Sequence, residues 1–295
     1  MPLLALALTP QQAAIRTLAD ADLRVATVGD RLARGGVALC PGQATSLGGL
    51  VIQDARQYSA PMHDDARAVL GLRDGPAILG SVGGMQGALA GRSIKAVDGR
   101  SVLTDSSDPY ADVGRTETAI EDGFQRGQVT LTLDDGRTIV LPATPGCRSR
   151  FQIVRGGLSR TQSDGRYVQL SEGMLAFASN DNELAAVLAH ELAHSVLDHR
   201  AKKTPSKQAE YEADWLSVWL LARAGYDIDA IVPFWTRLGK RTDYGIFSDG
   251  SHPGWKRRVA KLVEAVAIVK AQRARGADLV PPPAQQSASQ GKIPR

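Results

Sequence analysis

The segment from Asn180 to Val196 constrains this chain most. Asn180 with Glu183 three residues on is a capping-box arrangement that opens a helix, and Leu184, Val187, Leu188, Leu192 and Val196 give that helix one buried stripe. Inside it runs His190-Glu191-Leu192-Ala193-His194. Residues four apart on an α-helix lie about 40° from each other around the axis and one turn up, so both imidazoles face one point. Two nitrogen donors there suit a tetrahedral Zn²⁺. Glu191 leans to the same side, where a carboxylate can take the proton of a water on the metal. The bland alternative is a histidine pair on a structural helix face, and the capped, apolar setting weighs against it.

A zinc site that performs chemistry takes a third protein ligand and leaves a fourth position open. His199 is the nearest candidate. It lies nine residues after His190, about 180° around a continuing helix, which predicts a surface group or one behind the ligands. A second helix is expected from Lys207 to Ala224, ended by Gly225, and it carries Glu210-Tyr211-Glu212-Ala213-Asp214. Glu210 and Asp214 share a face. One carboxylate suits the metal, and the other suits the free N–H of a ligating histidine. Glu212 points elsewhere and reads as an exposed charge.

The rest of the 295 residues leaves room for a second modest domain. Thr9-Pro10 reads as a helix start, with an amphipathic helix to about Ala33 stopped by Gly35-Gly36. From Cys40 to Thr144 short β-rich runs follow: Leu50–Ile52, Ala77–Leu79, Ile94–Val97, Val129–Leu133 and Thr138–Leu141. Asp98-Gly99 and Asp135-Gly136 supply hairpin turns, and one short helix fits at Thr116–Phe124. Tyr167–Leu170 reads as a strand, and a further helix follows Pro253 through Val266. The expected division is an N-terminal helix at 1–38, a β-rich domain at 39–145, an α+β domain at 146–275 and a disordered tail at 276–295.

Charge and cysteines exclude some partners. A net charge of +4, dispersed along the chain, and only 5% aromatic residues argue against nucleic acid. The apolar run Leu3–Leu8 is far short of the ~20 residues of a membrane span and lacks the basic flank of a secretion signal. That points to the cytoplasm if Met1 is the true start, and to a trimmed or internal start otherwise. Cys40 and Cys147 form no CxxC pair. They are either two unpaired thiols or one disulfide between loops, which would need an oxidising compartment. His63, in a polar stretch, is expected as an exposed loop residue.

Taken together, His190-Glu191-x-x-His194, Glu210-x-x-Ala213-Asp214, Ala224-Gly225-Tyr226-Asp227, Ser251-His252-Pro253 and Arg258 resemble the HtpX-like and CAAX-prenyl-endopeptidase family of gluzincin metallopeptidases. The resemblance spans about Phe151 to Ala271. It implies a helical peptidase domain with a small β-sheet, one zinc ion per chain, and protein or peptide substrates. By it, Glu210 is the third ligand, Asp214 supports a ligand histidine, Glu191 is the general base and His252 stabilises the oxyanion. Arg258 would pair with an acidic partner and hold the His252 loop. It also implies a periplasmic or envelope setting and unfolded envelope proteins as substrates. Two features depart from the family. Ser159-Arg160-Thr161-Gln162 stands where members carry an Asn-Ala-Phe edge strand, and the connection from His194 to Glu210 is too short for a membrane segment.

The β-rich domain weakly resembles a PDZ module, through Ala77–Val82 and the run Gly91–Arg100 with its Asp98-Gly99 turn. Arg92 stands where an acidic residue is usual. Leu47-Gly48-Gly49-Leu50 would then be the loop whose backbone N–H groups capture a peptide C-terminus. Two rival readings follow. One is a PDZ-led adaptor or chaperone with a latent or inactive peptidase domain, latent if His252 fills the open zinc position. The other is a zinc hydrolase acting on something other than peptides.

Overall fold

Thr9 and Gln12 close a reciprocal capping box around Pro10, so the first helix, α1 (Pro10–Gly35), starts where the sequence predicts and runs 26 residues. The computed structural model describes residues 7–282 apart from 43, 48, 74, 83–88, 103, 105–106, 159–160 and 243–253. Helix α1 is not a separate segment. Its first half, through Ile15 and Ala19, packs in a small core with α2 (His63–Leu70) and β3 (Ala77–Ser81). Its second half, through Val25, Val28 and Leu32, belongs to the main core further along the chain. Gly29 is required there, because a Cβ would stand 2.0 Å from the ring of Phe151.

The β-rich stretch forms the strands that alternation predicts. β2 (Leu50–Gln53) pairs with β3, and a four-stranded antiparallel sheet is ordered β5-β4-β6-β7, from Arg100–Ser101, Ile94–Val97, Gln128–Leu133 and Thr138–Pro142. Along β6, Val129, Leu131 and Leu133 turn inward at every second position to meet Ile120 and Phe124 of α3 (Pro109–Gln125). The Asp98-Gly99 turn between β4 and β5 has positive φ at both residues, 48° and 75°, as a tight hairpin demands. Helix α3 is twice as long as expected, because Asp108 caps it from the Ala111 N–H at 2.9 Å and Pro109 takes its first position.

Cys40 and Cys147 form a disulfide, with Cα atoms 5.6 Å apart. It crosses the neck of this module: β1 (Ala44–Leu47) leaves and β8 (Thr144–Cys147) returns as an antiparallel pair, with Ala44 opposite Cys147. The alternative of two free thiols is thereby removed. Both cysteines sit in the main core, so the disulfide ties the module to it, beside α1 and the ion pairs of Arg150 with Glu117 and Glu121.

The second half is a three-stranded sheet, order β10-β11-β9, overlaid by helices. β9 (Arg150–Val154) runs parallel to β11 (Tyr167–Ser171), and β10 (Gln162–Ser163) is the antiparallel edge. After α4 (Glu172–Phe177) come α5 (Asp181–Val196), α6 (Ser206–Arg223), α7 (Ile231–Thr242) and α8 (Trp255–Ala274). Instead of one buried stripe, α5 is buried continuously from Glu183 to His190, so it is the central helix and its neighbours pack around it. Its N-terminal box forms by half: Asn180 accepts from the Glu183 N–H at 3.1 Å, but Glu183 accepts from Ser179 N–H and Arg237 instead.

One expectation, for His63, is corrected, and two stretches add to what the sequence suggests. Helix α7 is not foreseen, because Pro233 interrupts the pattern; it sits in the first turn, where a missing N–H costs little. His63 is the half-buried first residue of α2, its Nε2 3.0 Å from the Tyr58 carbonyl oxygen, and not an exposed loop residue. The tail is held as far as residue 282, where Arg223 donates to the Leu279 carbonyl at 3.2 Å and Gln272 to that of Val280 at 2.7 Å. No helix among the described residues is long and apolar enough to cross a membrane.

Candidate metal centre

Helices α5 and α6 pack side by side, and their facing sides bring three side chains to one point. His190 Nε2 lies 3.2 Å from His194 Nε2 and 3.5 Å from Glu210 Oε2, and His194 Nε2 lies 3.5 Å from Glu210 Oε1. Tetrahedral zinc with bonds of about 2.0–2.1 Å sets its ligand atoms about 3.3 Å apart. The triangle of donors therefore has the size such an ion fills, and its chemistry, two imidazoles and one carboxylate, is a zinc set. His190 and Glu210 are buried.

Behind the triangle, Asp214 is fully buried and its Oδ1 lies 3.1 Å from His190 Nδ1. Arg258, from the start of α8, forks onto both Asp214 oxygens at 2.8 Å and reaches Glu210 Oε2 at 3.0 Å. That bidentate geometry suits a guanidinium and a carboxylate. Trp235 of α7 roofs the group, its ring 5.1 Å from that of His190 and 4.6 Å from the Arg258 guanidinium. Arg258 thus has two acidic partners, Asp214 and Glu210 of the candidate centre. Trp235 is a residue that sequence reasoning misses, since its helix was missed.

Electrostatics sort the donors. Burial pulls the His190 imidazole down, but Asp214 and Glu210 outweigh it and lift the group to about 9. Burial and the neighbouring His190 charge drop His194 to about 3, so it is neutral at pH 7. Against burial, the cations around Glu210 hold its carboxyl well below the usual range. Burial raises the Glu191 carboxyl, while His190 and Arg258 oppose that. A carboxylate whose basicity is raised in this way is better suited to accept a proton than an exposed one.

His199 is buried and in contact with the site. Helix α5 ends at Val196, and Asp198 takes the left-handed conformation (φ 56°), a region that Asp enters more readily than most residues. The chain turns back, His199 N–H bonds the His194 carbonyl at 3.2 Å, and the two Nδ1 atoms meet at 2.9 Å. Of the two expectations for His199, a surface group or one behind the ligands, the structure shows the second, because the helix stops at Val196 and the chain folds back on it. Glu212, expected as a solvated charge, has its Oε2 3.0 Å from His199 Nε2.

The remaining candidates lie elsewhere. His252, with Ser251 and Pro253, is outside the described residues, as are Ser159, Arg160 and Gly48. Gln162 forms part of β10, whose Ser163 hydroxyl meets that of Ser195 on α5 at 2.5 Å. Leu47 and Leu50 end β1 and begin β2, and Gly49 between them takes φ 61° and accepts the Val82 N–H at 2.6 Å.

Residues 160–205 match Peptidase family M48. That stretch includes both histidines and Glu191. The chain is also similar to the mitochondrial metalloendopeptidase OMA1 of Schizosaccharomyces pombe, 26% identical over 151 residues. The alignment takes in 37% of this chain and 44% of that protein, so it spans less than half of the relative's length. With the donor triangle, these likenesses support a metallopeptidase.

Proposed function

We propose that this chain is a zinc-dependent metalloendopeptidase of the HExxH gluzincin type, with His190, His194 and Glu210 as ligands and Glu191 as general base. The observation that carries the reading is the donor triangle, with edges of 3.2 to 3.5 Å between atoms of two helices. A bound zinc ion supplies Lewis acidity, which polarises a peptide carbonyl and acidifies water. Glu191 takes the proton of the attacking water and delivers it to the departing amine. Asp214, locked by Arg258, holds His190 with its Nε2 toward the ion, and Trp235 keeps water off that face. His252, by its family position, donates to the developing oxyanion.

The finer HtpX-like resemblance and an envelope setting belong to the same proposal. The disulfide supports an oxidising compartment, since such bonds rarely persist in a reducing cytoplasm. Unfolded envelope proteins are the proposed substrates.

The adaptor reading is favoured by one observation. A cleft of about 110 Å³ lies away from the donor triangle, lined by Leu50 and Ile52 of β2 and Phe124 of α3, and closed by Asp22 of α1 and Arg150 of β9. A strand edge facing a helix is where a PDZ module takes a peptide C-terminus by strand addition. The two readings part on activity: the adaptor reading expects no cleavage by the wild-type chain, and the endopeptidase reading expects cleavage that a chelator stops.

The deciding experiment is digestion of an unfolded protein by wild type and by Glu191→Gln, with zinc content measured on both. The expected result is zinc retained in both and cleavage reduced at least about 100-fold in the variant. Equal cleavage by the variant refutes the assignment of the base, and chelator-resistant cleavage refutes the metal mechanism.

A further inference from the structure

We propose that His199 and Glu212 are positioning residues for the zinc ligand His194, forming a second outer chain that matches the one Asp214 makes for His190. This rests on the metal-centre reading above and extends it to residues which that reading leaves without a role.

Proton bookkeeping fixes the direction of the chain. To bind an ion through Nε2, neutral His194 must carry its proton on Nδ1. Among the described residues that N–H meets His199 Nδ1 at 2.9 Å. His199 must then be unprotonated at Nδ1 and carry its proton on Nε2, which points at Glu212 Oε2, 3.0 Å away. The other Glu212 oxygen accepts from Gln208 Nε2 at 2.7 Å. Each donor meets an acceptor, and only this order of tautomers leaves His194 Nε2 free for the ion.

The two ligand histidines are thus supported in different ways by one helix. Asp214 faces His190 Nδ1 directly, whereas the Nδ1 side of His194 meets His199, and the α6 carboxylate behind it, Glu212, is reached through that bridging imidazole. Residues 210, 212 and 214 of α6 supply a ligand and the acidic ends of both chains. The turn at Asp198 makes this possible by bringing His199 back under its own helix. Outer partners of ligand histidines orient the ring and raise its basicity, and their loss typically costs about 10–100-fold in metal affinity.

The test uses the full chain and measures zinc affinity by competition with a chromophoric chelator, with the visible spectrum of the Co²⁺-loaded protein as a second readout. His199→Leu removes both ends of the bridge, and His199→Asn restores an acceptor oxygen near the position of Nδ1. Glu212→Leu changes a side chain that is 42% exposed, so folding is spared if the buried His199→Leu variant fails to fold. The expected result is a loss of about 10–100-fold in zinc affinity for His199→Leu, a smaller loss for Glu212→Leu, and substantial recovery in His199→Asn. The Co²⁺ spectrum should shift in the leucine variants and return toward wild type in the asparagine variant. Leucine variants that bind zinc within threefold of wild type, with an unchanged Co²⁺ spectrum, overturn the proposal. Wild-type chain that takes up no zinc overturns the metal centre and this proposal together, and this is distinguishable from zinc uptake that is indifferent to residues 199 and 212.

Discussion

Replacing Cys40 and Cys147 together by alanine tests how the β-rich module is held. The bond closes a span of 107 positions. In the loop-entropy account, a cross-link of that length removes about 16 cal/mol/K from the unfolded chain, or about 5 kcal/mol at 25 °C. Both side chains are essentially fully buried and sit at the neck, where β1 and β8 also pair, so the folded geometry has other means of persisting without the bond. The loss should therefore appear as stability and not as an altered fold. With an unfolding entropy near 2.1 cal/mol/K per residue over the whole chain, about 5 kcal/mol lowers Tm by roughly 8 °C. Calorimetry of the double variant, beside wild type with and without reductant, measures this. Reduced wild type should melt close to the double variant. A double variant melting within about 2 °C of oxidised wild type would refute the reasoning, as would two titratable thiols in the unreduced protein.

Other expectations concern the metal centre and its packing. In the zinc-free protein His190 is lifted to about 9 and His194 is neutral, so zinc must displace one proton at pH 7. Zinc affinity should then fall about tenfold per pH unit from 9 down to 7, and calorimetry in buffers of different ionisation enthalpy should count one released proton; pH-independent affinity would contradict this. The same raised group stabilises the zinc-free fold fully below its ordinary 6.5, and that share is lost as pH rises through about 9. Arg258→Met removes the guanidinium that forks onto the fully buried Asp214 and should cost about 3–5 kcal/mol in urea denaturation; a loss under about 1 kcal/mol would mean that the fork contributes little. Gly29→Ala places a Cβ 2.0 Å from the Phe151 ring and should destabilise by about 1–3 kcal/mol despite alanine's better helix propensity; a more stable variant would show that α1 and β9 pack less closely.

Local rules made much of this chain legible before any packing was known. A four-residue spacing on a capped helix aims two imidazoles at one point whatever surrounds it, so His190 and His194 follow from helical geometry alone. Alternation likewise marked β6, and Asp98-Gly99 marked its hairpin, because those signals live within a few bonds of each other. The role of Arg258 was visible only as a need for some acid, since its partners stand 44 and 48 positions earlier in the chain.

Tertiary structure decided what depends on where helices stop and meet. His199 looked remote while α5 was imagined to continue; one left-handed residue at Asp198 returns it to His194, and then Glu212 acquires a partner as well. Whether the two cysteines pair depends on a strand leaving and a strand returning side by side, which spacing along the chain does not encode. Helical periods in the sequence set which side chains of each helix share a face, and so which could converge. The packing decided their support, because hydrogen bonds reach about 3 Å through space and take no account of distance along the chain.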